Sequence, residues 1–171
     1  MDFTNQLSLF LQTSVQMGTP ILFGTLGGIL NEKAGHTNLG VEGMMLMGAC
    51  MGFTAGVKTG NPLLAILASG LAGALLALIY AVITVTFMGN HVVTGLVLTI
   101  FGTGLSSFLG QEMTQANLPA SVSKPLASVK IPVLGDIPVI GNMLFNQSVY
   151  VYISIVLAVI LFVYLRFTKP G

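Results

Sequence analysis

The sequence predicts an all-α, polytopic membrane protein of about five transmembrane helices, and three observations lead there. Of 171 residues, 54% are hydrophobic and 6% charged, whereas a soluble surface is about a quarter or more charged. Mean hydropathy is +0.91. Apolar runs of membrane-crossing length alternate with short polar turns, and small residues recur at every fourth position within them.

Residues 3–17, apolar with Gln and Ser interspersed, lead through Gly18-Thr19-Pro20 into ILFGTLGGIL. This reads as one span from about Leu7 to Leu30 kinked at Pro20, the alternative being an interfacial helix followed by a broken span. Gly40 to Val57, about 18 residues, just crosses roughly 30 Å of hydrocarbon. Asn61-Pro62 opens a third span to Met88, with Pro in the first-turn position it tolerates. A turn at Gly89-Asn90-His91 leads to a fourth, Val92 to Gly110. Residues 111–148 hold four of the seven prolines and no long apolar run, which predicts an external or re-entrant connection. Val149 to Leu165 is the fifth span, closed by Arg166 and Lys169. All 171 residues read as a single transmembrane domain.

Residues four apart share a helix face. Gly48, Gly52, Gly56 and Gly60 form such a stripe, as do Ala65, Ser69, Gly73, Ala77 and Ala81, and Gly95, Thr99, Thr103 and Ser107. Lipid tails are as apolar as Leu, so helices associate in membranes through close backbone approach and interhelical hydrogen bonds. The second, third and fourth spans are therefore expected to cluster, with Gly48, Gly52, Gly56, Gly73 and Gly95 at their contacts. The fifth, with only Ser154 and Ala158 on such a face, is expected to meet more lipid. Three cations fall on each side of the membrane, so counting does not orient the chain; Arg166 and Lys169, directly abutting a span, favour a carboxyl terminus inside.

Familiar soluble chemistries are absent. A net charge of +1 without clustered Lys or Arg gives nothing to follow phosphates. Gly56-Val57-Lys58-Thr59 fails the phosphate-loop spacing and Gly102-Thr103-Gly104 the dinucleotide fingerprint. A lone Cys50 excludes an internal disulfide. His36 and His91, far apart in sequence and without HExxH or Cys partners, read as polar residues at helix boundaries and not as metal ligands. No Ser, His and acid arrangement announces a hydrolase, so catalytic residues: none.

Polar groups inside the spans carry what remains. Glu42 costs about 2.5 kcal/mol or more at bilayer depth. It either satisfies helix N-terminal N–H groups, or bonds Asn38 and Thr37, or faces a polar cavity where a hydroxylated solute passes. Thr99, Thr103 and Ser107 offer hydroxyls to such a solute, or simply pack. Met44, Met45, Met47 and Met51 read as ordinary packing.

Glu32-Lys33-Ala34-Gly35 followed by Asn38-Leu39-Gly40-Val41-Glu42-Gly43-Met44-Met45-Leu46 resembles the first-half signature of the ABC importer permeases for simple sugars and nucleosides. Lys33 stands where that family usually has Arg, and His36 where it has an aliphatic residue. Asn90-His91-Val92-Val93-Thr94-Gly95 is similar to the family's Asn-Gln-Val-Val-Ser-Gly, with His91 replacing Gln. Ile131 to Gly141, with Leu144-Phe145-Asn146-Gln147, resembles the external segment of the nucleoside branch. The resemblance runs from about residue 19 to the last residue.

It implies the amino-terminal half of a permease about twice this length in the plasma membrane, and it also implies that the carboxyl terminus of this chain lies inside. Implied partners are a second permease subunit, cytoplasmic ATPase subunits that bind the ATP, and an extracellular solute-binding lipoprotein, with no cofactor in the permease itself. Substrate-pathway candidates are Asn38, Glu42, Asn90, Thr94, Thr99 and Thr103. Rival readings are a channel, an ion-coupled secondary transporter subunit with Glu42 titrating, and a purely structural membrane subunit. The resemblance also implies that these 171 residues alone do not couple ATP hydrolysis to transport; nucleoside-stimulated uptake by them with only an ATPase added contradicts it.

Overall fold

In a computed structural model of the chain, residues 3–130 and 141–168 are described. The chain divides into two compact units: one takes the residues up to Leu26 and those from Leu126 onward, the other Gly27–Pro125.

The first unit is built from α1 up to Leu26, a two-stranded ribbon and α6 (Val149–Phe167). Helix α1 runs Phe3–Lys33 with Pro20 inside it, so the single-helix reading of this stretch holds over a broken one. Its polar residues do not break it because they turn back on their own backbone. The hydroxyls of Thr13, Ser14, Thr19 and Thr25 each donate to the carbonyl four residues earlier at 2.8 to 3.0 Å, which removes the cost of an unpaired hydroxyl in an apolar setting. Gln12 and Gln16, one turn apart, reach outward instead. Gln12 Nε2 donates to the Asn146 carbonyl at 2.6 Å and Gln16 Nε2 to Ser128 Oγ at 3.1 Å.

These two contacts hold an antiparallel ribbon that the sequence reading did not foresee. Strand β1 (Ser128–Lys130) pairs with β2 (Asn146–Ser148), with Val129 opposite Gln147. Gln147 is fully buried, and its Nε2 donates to Met143 O at 2.7 Å. A π-helical turn, Gly141–Phe145, precedes β2. The segment resembling the nucleoside branch lies, from Ile131 to Ile140, outside the described residues, as does Lys169. Helix α6 spans Val149–Phe167 and buries only Val151 and Ser154. Ser154 satisfies its hydroxyl on Val151 O at 2.7 Å.

The second unit is organised on α2 (Val41–Thr59), which packs along both α3 (Pro62–Ala81) and α4 (His91–Gly110), while α3 and α4 touch each other far less. Gly60, at φ 63°, ends α2 with its N–H bonded to Gly56 O, a left-handed cap that glycine adopts without Cβ strain. Asn61 Oδ1 then accepts from Leu63 N–H at 2.9 Å, with Pro62 at the first helical position. Helix α3 passes into a π-helical turn, Val82–Thr86, before α4 begins. A short 3₁₀ turn, Gln111–Met113, and helix α5, Ala120–Ser123, follow.

One face of α2 serves each neighbour. Toward α3, a Cβ at Gly48 would lie 3.1 Å from Ser69 O, and one at Gly52 would lie 2.9 Å from Ser69 Cβ. Gly56 faces Ala65 and Leu118 in the same way. Toward α4, a Cβ at Gly43 would lie 2.5 Å from Leu98 O, and one at Gly102 would lie 2.6 Å from Gly43 O. Gly95 stands against the backbone N–H groups of Leu39 and Gly40. Gly73 is different: its nearest neighbour is Met44 O at an ordinary 3.7 Å, so the packing does not require glycine there. Leu76, Tyr80 and Leu98 form the buried core, with Met44 and Met47 against it.

The expected five spans appear as five long helices, but among the described residues only three stretches are long and apolar enough to cross a membrane: Pro62–Thr86, His91–Met113 and Val149–Phe167. Helices α1 and α2 fall short for a physical reason. Helix α1 is diluted by Gln, Ser and Thr; α2 carries Glu42, Lys58 and the glycines its packing needs. The all-α polytopic architecture stands.

Gly43→Ala is expected to destabilise the protein by about 1–3 kcal/mol, because the atoms its Cβ meets are backbone and cannot yield. Gly104→Ala, with nothing within 4 Å, is expected to be neutral or to stabilise by about 0.5–1 kcal/mol. Thermal unfolding of the two variants in detergent or nanodiscs checks the contrast.

Candidate functional site

The polar residues singled out in the sequence converge where α1 ends and α2 and α4 begin. Helix α1 closes with a Schellman motif: Gly35, at φ 82°, bonds its N–H to Glu32 O, and His36 N–H reaches Asn31 O at 3.0 Å. That pair of bonds satisfies carbonyls the helix would otherwise leave bare. It also fixes the direction in which residues 36–40 leave the helix.

Asn38 shapes the next turn. Its Oδ1 accepts from Gly40 N–H at 2.8 Å, and its Nδ2 faces Met44 Sδ at 3.9 Å. The turn is then riveted to α4 and α3 from two sides. Thr99 Oγ1 donates to Leu39 O at 2.6 Å, and Tyr80 OH donates to Thr37 O at 3.2 Å. The Thr99 bond is made where Gly95, one turn earlier, lets α4 approach the backbone of Leu39 and Gly40 to within van der Waals contact.

Glu42 does not do what a capping carboxylate does. The first turn of α2 has no side-chain cap, its N-cap residue being Gly40. Glu42 is exposed there and makes no hydrogen bond or ion pair among the described residues. The expected bonds to Asn38 or Thr37 are therefore not made; Asn38 itself takes the local N–H. At the other end of the junction, Asn90 caps α4, its Oδ1 accepting from Val93 N–H at 3.0 Å. Thr94 is buried one turn in.

Thr103 lies apart from this cluster. It is exposed, and its hydroxyl donates to Thr99 O at 2.8 Å within its own helix. So Asn38, Glu42, Asn90, Thr94 and Thr99 gather around one junction, and Thr103 stands a turn beyond it. The two histidines, read from sequence as independent boundary residues, in fact meet: their Nδ1 atoms are 2.8 Å apart.

A further feature had no sequence signal. An open recess of about 340 Å³ lies between α2 and α4, lined by Leu46, Cys50, Phe53, Thr54, Ser106 and Gly110 among others. None of the six pathway candidates lines it. Cys50 Sγ donates to Ser106 O at 3.4 Å, and the hydroxyls of Thr54, Ser106 and Thr114 all donate to backbone carbonyls. The recess is therefore largely apolar despite its hydroxyl residues.

Apolar helices packed glycine-to-backbone around a polar junction define the class: a multi-pass membrane protein. Residues 10–171 match the family described as branched-chain amino acid transport system / permease component, and the chain belongs to that family. It is 32% identical over 178 aligned positions to the nucleoside ABC transporter permease protein NupC of Lactococcus lactis subsp. cremoris, covering 100% of this chain and 56% of that protein. It is 28% identical to the guanosine ABC transporter permease protein NupQ of Bacillus subtilis, covering 99% and 55%. It is 31% identical to the putative glucose ABC transporter permease protein TsgC13 of Haloferax volcanii, covering 94% and 49%. The chain thus spans about half the length of these relatives. No solved structure matches it.

Thr99→Val, similar in volume but without the hydroxyl, is expected to cost about 0.6–1.7 kcal/mol, the range of interhelical hydrogen bonds in membranes. Thr103→Val, whose bond is local to its helix, is expected to cost less. Unfolding of the two variants side by side measures the difference.

Proposed function

We propose that the chain is part of the permease subunit of an ATP-binding cassette importer that carries nucleosides, or a related simple sugar, across the plasma membrane. The observation that carries this reading is the similarity, over the entire chain, to a permease named for nucleosides. A second named for guanosine aligns over almost the same length. The glucose relative keeps a sugar as the second choice.

In this reading the permease supplies a path and no chemistry. ATP is bound and hydrolysed by partner subunits on the cytoplasmic side, a second permease subunit completes the pathway, and an extracellular lipoprotein delivers the solute. The carboxyl end of α6 faces the cytoplasm, so that residues 111–148 form the external connection. Glu42 lines the path with Asn38, Asn90, Thr94, Thr99 and Thr103. An exposed carboxylate with no partner among the described residues keeps its acceptor capacity for a solute rich in O–H and N–H donors.

Reconstituting the assembly in proteoliposomes tests this. ATP-dependent uptake of labelled guanosine, competed by nucleosides and not by glucose, is the expected result. Competition by glucose alone moves the assignment to sugars, and flux driven by a proton gradient without ATP overturns it. Glu42→Gln is expected to leave thermal stability within about 0.5 kcal/mol, as surface changes do. It is expected to lower uptake about ten-fold, the equivalent of one charged hydrogen bond of about 1.4 kcal/mol.

A further inference from the structure

His36 and His91 are the only histidines in the chain. The fold brings their rings edge to face, with centroids 4.3 Å apart and planes at 82°, and their Nδ1 atoms at hydrogen-bonding distance, 2.8 Å. His36 follows Gly35 at the closed end of α1, and His91 is the first residue of α4. The contact therefore ties the exit of one helix to the entry of another.

The turn held by this contact carries stored strain. Between α3 and α4 the chain runs through the π-helical turn Val82–Thr86 and then through Met88 at φ 51°. A left-handed residue other than glycine costs about 1–2 kcal/mol. Met88 is 88% exposed, so its side chain buries nothing in this unit that offsets that cost. Gly89 N–H bonds back to Ile83 O at 2.9 Å, and the next anchors are the Asn90 cap and the His91 ring.

An Nδ1–Nδ1 contact needs one donor and one acceptor. A neutral pair provides this, and so does a pair sharing one added proton; two imidazolium rings provide two donors, no acceptor and mutual repulsion. The helix ends bias the roles, the carboxyl end of α1 favouring His36 as donor and the amino end of α4 favouring His91 as acceptor. Other titratable or charged groups on the surrounding segments are Glu32 and Lys33 on α1, Glu42 on α2 and Tyr80 on α3. Among the described residues none of them pairs with either ring.

We propose that His36 and His91 form a pH-sensitive latch, which fastens the α3–α4 turn to the end of α1 and releases it when both rings are protonated. The linkage sign follows from proton counts. The latched state holds at most one added proton on the pair and the released state two, so falling pH favours release. The latch does not depend on which solute is carried.

The test uses the chain in lipid nanodiscs with 15N-histidine, whose ring signals His36→Leu and His91→Gln assign. At pH 8 a coupling transmitted through the hydrogen bond is expected between the two Nδ1 atoms of the native protein, and at pH 5 it is lost. Over the same range the native Tm is expected to fall by about 2–4 °C more than that of either variant. Absence of the coupling at every pH overturns the proposal. So does a Tm profile shared by native and variant proteins, or a zinc complex binding both rings at pH 8. The coupling is read on the native chain, so it decides the matter even where a variant fails to fold.

Discussion

Between α2 and α4 there is no room for a Cβ: Gly43 and Gly102 lie backbone against backbone, with a Cβ on Gly102 falling 2.8 Å from Gly43 Cα. In water such a contact adds to a hydrophobic drive that already pushes helices together. In lipid that drive is missing, and close approach becomes the means by which dispersion and polar contacts accumulate. The rest of the second unit inherits its geometry from this contact. Gly95 can reach the backbone of Leu39 and Gly40 only because Gly102, two turns along the same face, has already brought the helices together. That approach then puts Thr99 within 2.6 Å of Leu39 O.

The polar junction thus follows from steric permission given by glycines some turns away. Its bonds are of a particular kind. Asn38, Asn90 and the Schellman closure at Gly35 satisfy helix ends, while Thr99 and Tyr80 satisfy carbonyls in the connecting turn. Backbone groups that water would serve elsewhere are served here by side chains, as an apolar surrounding demands. Glu42 is the exception. It stands at the same place, exposed and without a protein partner among the described residues.

Much of this was legible in the sequence, and the misses have reasons. The helix boundaries at Asn61-Pro62 and Asn90 could be read because caps are local chemistry, whereas Gly60, read as part of the packing stripe, is the left-handed cap of α2. Gly48, Gly52 and Gly56 could be read because α2 does present them to α3. The face of α4 was misread. A step of four residues turns a helix about 40° past one full rotation, so Gly95, Thr99, Thr103 and Ser107 drift progressively off one line. The packed face alternates steps of three and four through Gly95, Leu98 and Gly102, all buried, while Thr103 and Ser107 are exposed. The meeting of His36 with His91 had no local signal, since it depends on where α4 begins relative to the end of α1. The ribbon held by Gln12 and Gln16 was hidden for the same reason.

The hydroxyls of α4 bear on what this surface can recognise. Thr103 and Ser106 each spend their proton on a carbonyl of their own helix, at 2.8 and 3.0 Å. A hydroxyl that donates inward keeps its lone pairs facing outward. These hydroxyls of α4 therefore present acceptors, and Glu42 is a stronger acceptor still. Such a surface favours a ligand whose periphery is rich in O–H and N–H donors and disfavours an anionic one, which would find lone pairs against its own charge. Ribose hydroxyls and base amines are neutral donors of this kind, and so are the hydroxyls of a hexose. Under the proposed function, such a surface would separate neutral donors such as nucleosides and sugars from anionic solutes, and would leave the choice between nucleoside and sugar to groups that contact the base.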